Sequence, residues 1–525
     1  MILLLLWLLW LVFLGFALRR LMTYLHIYQQ DDYDASRFLP WLIRSAAFDK
    51  KASLGLLLCA LMPLSIGHLG AILGLGVIAG REANPCHSAK KPLVLTARAK
   101  RVLGLAWGLA AVFSFCAFVA LRAPFWGWIL AVQALPLLLP LANLLLKPVE
   151  AWVQHRYWTA AQARLRTVNP TVIGVTGSFG KTSVKQMLGH VLQTHARTCF
   201  AKGSINTPMG TSRFLSTELA PDCRYYIGEM GAYQRGSIAR LCRLTPPHHG
   251  VITALGEAHY ERFKSLETVA RAKFELAEAV LAQKGKMVIA EQALTQIWAR
   301  EFVAQHRESF LVCGDSASAD LRILEATQRM EGTQVTLGWQ GQTYCLTAPV
   351  WGAHQAGNIA LVFALCVGVL GISPLQVEIA LKTVPQTRHR LEVKHQQDGT
   401  IYLDDAFNSN LTGFISALEV LSLLCPAGGR RILVTPGMAE LGAAHDAQHA
   451  LVAEKAASCV DIALVVQPER IPSFVQGLSC KLGETLLTFP TFAAARLWMQ
   501  SHVKAGDCVL IENDLPDLYE KKLNL

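Results

Sequence analysis

Four stretches of the chain are apolar from end to end. Met1–Leu18 carries no charge and closes on Arg19-Arg20, and Ala52–Gly80 has no charged side chain at all. Val102–Leu121 is a third run, and Ala123–Leu146 follows after Arg122. About 20 apolar residues cross a bilayer as a helix, so at least three of these are candidate spans. The first run lacks a basic residue ahead of it and a small-residue cleavage site, so it reads as an anchor rather than a cleaved leader. Ala52–Gly80, with Pro63 and six glycines, fits a helical hairpin that enters and leaves on one side, or one long tilted span. The count is three or four. His68, in its middle, fits a packed or hydrogen-bonded side chain better than a proton relay.

Beyond Asn169-Pro170 the pattern changes to short β-branched runs alternating with helical stretches. Val172–Val175, Tyr225–Gly228, Gly250–Thr253 and Lys286–Ala290 predict strands, with Thr182–His195 and Leu266–Ala282 as helices between them. Such alternation predicts a mostly parallel sheet covered on both faces. A β-rich stretch at Gln334–Leu346 and a helix over Ala356–Leu370 follow, then a second α/β unit with strands at Thr400–Leu403, Arg431–Val434 and Cys508–Glu512. His248-His249, after two prolines, reads as loop.

Composition agrees with this division. The chain has 525 residues, 52% hydrophobic and only 17% charged, against roughly 25% charged in an average soluble domain. At roughly 100–200 residues per domain, about three domains are expected. Disorder, collagen and a disulfide miniprotein are excluded. The net charge of +11 is uneven: residues 1–150 hold 14 Lys/Arg against 6 Asp/Glu, a net +8. That excess lies between apolar runs, where it sets membrane orientation, so no nucleic-acid partner is expected. It puts everything beyond Lys147 in the cytoplasm. Eight of the twelve tryptophans precede Thr159, as interfacial belts require. The thirteen cysteines show no Cys-x-x-Cys pair, so neither a disulfide framework nor a zinc site is expected.

The chemistry concentrates in Gly174-Val-Thr176-Gly177-Ser178-Phe-Gly180-Lys181-Thr182-Ser183. This segment leaves a predicted strand and opens a predicted helix, the context of a phosphate-binding P-loop. Its glycines let backbone N–H groups curl round phosphate, and the helix N-terminus favours the negative charge. Lys181 would neutralise β- and γ-phosphates, and the Thr182 hydroxyl would ligate Mg2+. The first glycine stands at Gly174 rather than at Val175, a variant that resembles the Mur ligase family and, within it, the branch that adds D-alanyl-D-alanine. The resemblance runs on through Ser204-Ile-Asn206, Glu229-Met230-Gly231, Gly256-Glu-Ala-His259, Ala272-Lys273-Phe-Glu275, Gly352-Ala-His354-Gln-Ala-Gly-Asn358, Arg390-Leu-Glu392, Asp404-Asp405-Ala-Phe-Asn408-Ser-Asn410, and Glu440-Leu441-Gly442 with His449.

The apolar runs predict a membrane α-helical region (1–150), and the resemblance implies a P-loop central ATP-binding domain with a mostly parallel sheet (168–385) and a C-terminal Rossmann-like α/β domain (386–525). It implies ATP and two magnesium ions held by Thr182, Glu229, His259 and a carbamylated Lys273, and nucleotide contacts from the P-loop with Asn358, Arg390, Asp405 and Asn408. Lys181, His259 and Lys273 would be the catalytic residues. The activity it implies is ATP-dependent formation of an amide between a carboxylate, activated as an acyl phosphate, and an amino acid or dipeptide, in peptidoglycan-precursor or related envelope synthesis at the bacterial inner membrane.

From the residues alone, Glu229 also fits an ordinary strand-end carboxylate, His259 a surface histidine and Lys273 a solvated helix lysine. The family's soluble ligases begin with a domain that binds a UDP-sugar; here the apolar runs take that place, which suggests a lipid-linked or envelope-borne acceptor. Ala254, Gln355, Leu411 and Glu512-Asn513-Asp514 depart from the family pattern. A poly-amino-acid ligase, such as a folylpolyglutamate synthase, is the alternative enzyme. A non-ligase membrane ATPase or scaffold is the alternative outside enzymes.

Overall fold

The computed structural model describes residues 2–88, 92–120, 124–232, 234–256, 265–406, 409–439 and 441–513. They form two compact units that divide between Gln154 and His155.

The first unit is all helical: α1 (Ile2–Gln30), α2 (Ala35–Arg44), α3 (Lys50–Ala60), α4 (Leu64–Arg81), α5 (Ala97–Ala120), α6 (Pro124–Leu145) and the start of α7 (Lys147–Val168). Four of its segments are long and apolar enough to cross a membrane: Ile2–Gln30, Leu64–Arg81, Ala97–Ala117 and Phe125–Leu145. Phe13, Phe16, Tyr24, Phe38 and Trp128 are buried among them. Leu61, Leu73, Val112 and Leu130 nonetheless point outward, and helices apolar on every side are those of a core or a membrane. Ala52–Gly80 breaks at Leu61–Pro63 into α3 and α4, which pack together as a hairpin. Its two ends meet at one guanidinium: Arg20 reaches Asp49, ahead of α3, at 2.7 Å and Glu82, behind α4, at 3.1 Å. Buried charges persist where they are paired in this way. His68 is buried, with Nδ1 on the Leu64 carbonyl and its ring against Phe125.

Asn169, at φ 48°, and Pro170 end α7, the usual left-handed stop followed by proline. The second unit then builds a nine-stranded sheet in the order β2-β3-β1-β4-β5-β6-β7-β8-β9. Its strands are β1 (Thr171–Thr176), β2 (Thr198–Phe200), β3 (Tyr225–Glu229), β4 (His249–Ile252), β5 (Lys286–Ala290), β6 (Phe310–Gly314), β7 (Leu321–Arg329), β8 (Gly332–Trp339) and β9 (Gln342–Ala348). Pairings from β2 through β7 are parallel, and β7-β8-β9 is an antiparallel meander. Ile173 and Val175 of β1 are fully buried, as central parallel strands require. Helices α8 (Lys181–Gln193), α9 (Pro208–Glu218), α10 (Ser237–Leu244), α11 (Leu266–Ala282) and α12 (Ile297–Gln305) make the crossovers, and α13 (Gln355–Phe363) and α14 (Pro374–Leu381) follow the meander.

The β-rich stretch Gln334–Leu346 resolves into two strands turned at Gln340-Gly341, which hold φ values of 49° and 75° as a two-residue hairpin turn demands. One expectation needs correction. His249 is not loop but opens β4.

The second sheet has six strands, ordered β10-β11-β15-β12-β13-β14: β10 (Glu392–His395), β11 (Ile401–Asp405), β12 (Arg431–Thr435), β13 (Ile462–Val466), β14 (Leu486–Phe489) and β15 (Cys508–Glu512). Only edge strand β10 runs antiparallel. Helices α15 (Leu411–Leu424), α16 (His445–Cys459), α17 (Pro472–Leu482) and α18 (Phe492–His502) alternate with the strands.

Candidate active site

In open α/β sheets, ligands bind beyond the carboxyl ends of the strands. Here β1, β3 and β4 deliver Thr176, Glu229 and Thr253 to that edge, and the loop 177–180 joins β1 to α8. The loop is pinned from below. Thr176 Oγ1 donates to the Met230 carbonyl at 2.8 Å, Thr253 N to the Thr176 carbonyl at 2.9 Å, and Ser178 N to the Ala254 carbonyl at 2.6 Å. Gly177 (φ 153°) and Gly180 (φ 78°) hold left-handed conformations, and a Cβ on Gly177 would collide with Thr253 Oγ1. Gly174 is different. It lies inside β1, in register with Gly228 and Gly250, and its missing Cβ leaves room for Leu276 of α11. The expectation that it cradles phosphate is therefore corrected: it is a packing glycine.

Lys181, the first residue of α8, donates to the Gly177 carbonyl at 2.7 Å and the Ser178 carbonyl at 3.1 Å. Burial, with the Arg390 charge adding to it, lowers its pKa to about 8, against the pull of Glu229. Ser183 lines a cleft with Trp351, Gln355 and Arg390.

Glu229, 2% exposed, is the hub. Its Oε2 accepts from Thr182 Oγ1 at 3.0 Å and from Lys185 Nζ at 2.9 Å, and its Oε1 from Ser204 Oγ at 2.8 Å and Asn206 Nδ2 at 3.3 Å. Burial works against its charge, but Lys185 and these hydrogen bonds hold the carboxyl below its ordinary range. The Thr182–Glu229 oxygen pair suits magnesium: metal–oxygen bonds of about 2.0–2.1 Å in an octahedron put neighbouring ligand oxygens about 2.9 Å apart. Lys185 had no place in the sequence reading. Its spacing four residues after Lys181 was visible, but its partner lies 44 residues away.

Lys273 sits on α11, 4% exposed. Burial and the Lys181 charge lower its amine to a pKa of about 7, so a neutral, nucleophilic amine is available at physiological pH, which carbamylation requires. His259 and Asn408 lie outside the described residues, as does Glu440.

The C-terminal strands supply the opposite wall. Arg390 feels the charges of both Asp405 and Glu229. Asp405 Oδ1 accepts from Leu391 N at 3.0 Å, and burial raises its carboxyl to about 6 against the charge of Arg390. Asn358, on α13, donates to Gln355 Oε1 at 2.9 Å, and its own carboxamide oxygen lies 2.8 Å from where a Gly180 Cβ would stand. Glu512, one of the departures from the family pattern, is in register with Asp405 and fully buried. It accepts from Ser409 Oγ at 2.5 Å; burial and Asp405 raise it well above the carboxylate range. His389, Glu392 and Asp404 cluster, but the Lys394 ammonium bridges both carboxylates at 3.0 and 2.6 Å and offsets part of their charge.

A P-loop beside a second α/β layer, with a buried carboxylate on the P-loop hydroxyl, defines a nucleotide-binding enzyme. The Mur ligase middle domain matches residues 175–366 and the Mur ligase glutamate ligase domain residues 389–512. The chain belongs to the Mur ligase family and is an ATP-dependent peptide ligase. It is 30% identical over 325 residues to UDP-N-acetylmuramoyl-tripeptide--D-alanyl-D-alanine ligase of Escherichia coli, covering 61% of this chain and 69% of that one. Against the enzyme of the same name from Mycobacterium tuberculosis (strain H37Rv) it is 32% identical over 305 residues, covering 55% of this chain and a little over half, 57%, of the relative. In fold it is similar to the MurF ligase of Thermotoga maritima, solved with ADP, at a TM-score of 0.56 and 22% identity over 70% of this chain and 82% of that one. The Acinetobacter baumannii MurF structure gives 0.58 at 23% identity, over 69% and 77%.

Proposed function

We propose that the chain is a membrane-anchored ligase that joins a substrate carboxylate to an amino acid or dipeptide in the synthesis of a peptidoglycan precursor or a related envelope polymer. We place the ligase in the bacterial cytoplasm, divided at about residues 168–385 and 386–525. The relatives' names supply the starting pair, a UDP-N-acetylmuramoyl-tripeptide and D-alanyl-D-alanine. The four apolar helices favour an acceptor presented at the membrane, lipid-linked or polymer-borne.

One observation carries the chemistry: Lys181, Thr182, Glu229 and Lys273 gather at the end of β1 and β3, while Arg390 lies close enough to lower the Lys181 pKa and to feel the Glu229 charge. Phosphoryl transfer asks a protein mainly for positioning and charge neutralisation. In this reading Thr182, Glu229, His259 and a carbamylated Lys273 would hold magnesium, which would supply positive charge beside the phosphates. Gly177 and Gly180 offer backbone N–H groups to the phosphates, while Ser178 shapes the loop through its N–H on the Ala254 carbonyl, and Lys181 swings from its loop carbonyls onto them. Asn358, Arg390, Asp405 and Asn408 hold the nucleotide from the second wall. The substrate carboxylate takes the γ-phosphoryl group, and the incoming amine then displaces phosphate.

The test is mass spectrometry of products after incubating the purified protein with ATP, envelope extract and a pool of amino acids and dipeptides. The expected result is a product heavier than its carboxylate by the amine minus water, formed with one ADP, and missing with Lys181→Ala. ATP hydrolysis that needs neither carboxylate nor amine would sink the proposal.

A further inference from the structure

Lys185 follows Lys181 by one turn of α8, so the two side chains leave the same face of the helix. Lys181 stays half-buried at the loop, whereas Lys185 is 0% exposed. An ammonium shut away from water survives in a fold only with charge and hydrogen-bond partners. Those of Lys185 are the Glu229 Oε2, at 2.9 Å, and the Gly203 carbonyl. Both choices are informative. Oε2 is the same oxygen that accepts from Thr182, while Gly203 opens the segment whose Ser204 and Asn206 hold the other oxygen of Glu229. One buried cation thus ties the end of β3 to the loop behind it.

We infer that Lys185 is a positioning residue for the metal site: it fixes the Glu229 carboxylate with Oε2 turned towards Thr182 and fastens the Gly203–Asn206 segment behind it. The inference rests on the reading of Thr182 and Glu229 as magnesium ligands. Without Lys185, Oε2 keeps a single donor, and the loop that orients Oε1 loses its tie. Groups that orient a ligating carboxylate commonly set metal affinity, and removing one costs about 10–100-fold. A lysine that merely stabilised the fold would leave that affinity where it was.

The experiment is Mn2+ binding to the full-length protein in detergent with ADP, followed by electron paramagnetic resonance, for wild type, Lys185→Met, Lys185→Arg and Glu229→Gln. Lys185→Met is expected to weaken Mn2+ binding about 10–100-fold, Lys185→Arg to recover part of the loss, and ADP affinity in EDTA to stay unchanged in both. Unchanged or tighter Mn2+ binding in Lys185→Met, with binding lost in Glu229→Gln, overturns the role of Lys185 alone. Unchanged binding in Glu229→Gln overturns the ligand reading and the inference with it. Where Lys185→Met fails to fold, Lys185→Gln, which keeps a donor without the charge, is judged by the same outcomes.

Discussion

Lys181 donates to the carbonyls of its own loop, so its removal takes no contact from the hydrophobic core. Lys181→Ala should therefore keep its unfolding midpoint while turnover falls by at least about 10²–10³, the usual loss on deleting one electrostatic donor to a transition state. Near-normal turnover in that variant would contradict the assigned role. Gly177 makes a sharper demand on the backbone. Its φ of 153° and the collision a Cβ would make with Thr253 Oγ1 leave no relaxed place for alanine. Gly177→Ala should lose about 1–3 kcal/mol of stability and weaken ADP binding, read from a denaturant titration and from calorimetry. Wild-type values in both would show that the loop adapts.

Among the elements, α16 is fastened through one neutral histidine. His449 is fully buried; its Nδ1–H donates to the His445 carbonyl at 2.7 Å, and its Nε2 accepts from Met438 N at 2.9 Å, in the turn after β12. Burial keeps its pKa at about 4, below the 6.5 of an unfolded histidine. Between those values the unfolded chain binds a proton that the fold refuses, so stability falls as pH drops from 6.5 to 4. The full loss is on the order of 3 kcal/mol. His449→Gln, which keeps an acceptor and cannot titrate, should flatten the pH dependence of the denaturation midpoint in that window; an unaltered slope would assign it to other groups.

The same scale shows what the sequence could reveal. Strands β1, β3, β4 and β5 were legible because buried parallel strands are unbroken apolar runs, and the bounds of α11 were read correctly from its periodicity. Edge strands were not: β2 has three residues and β10 reads Glu-Val-Lys-His; β7, though inside its sheet, is largely exposed, so none of the three carries a hydrophobic signature. In the site, local motifs such as the P-loop could be read. Contacts closed by the fold could not: Lys185 with Glu229, or Glu512 beside Asp405 across a strand pair. Gly174 misled because a glycine under a helix and a glycine in a phosphate loop look alike in one dimension.

At the scale of the whole molecule, α7 decides where the ligase unit can be separated. Its first turn belongs to the helical unit, where Glu150 takes Arg101 Nε at 2.7 Å. Further along, Ala161 and Leu165 are buried with Val172, Phe214, Leu215 and Tyr226, with Trp158 packed against them. A fragment beginning at His155 therefore keeps a complete core, while one beginning at Thr171 uncovers that cluster and should be less stable by roughly 3 kcal/mol, since burying a single leucine contributes about 1.5–3 kcal/mol. Both should still bind ADP, because the hydrogen bonds that hold the P-loop run to Met230, Thr253, Ala254 and Glu229 rather than to α7. If the helical unit brings the ligase to a membrane-borne acceptor, the His155 fragment should retain ADP binding yet turn over the native envelope substrate far more slowly than the full chain. On soluble UDP-N-acetylmuramoyl-tripeptide the two would then differ little, both being slow. Full activity of the fragment on that soluble substrate would show that the ligase unit recognises its acceptor unaided, and would reduce the apolar helices to a tether.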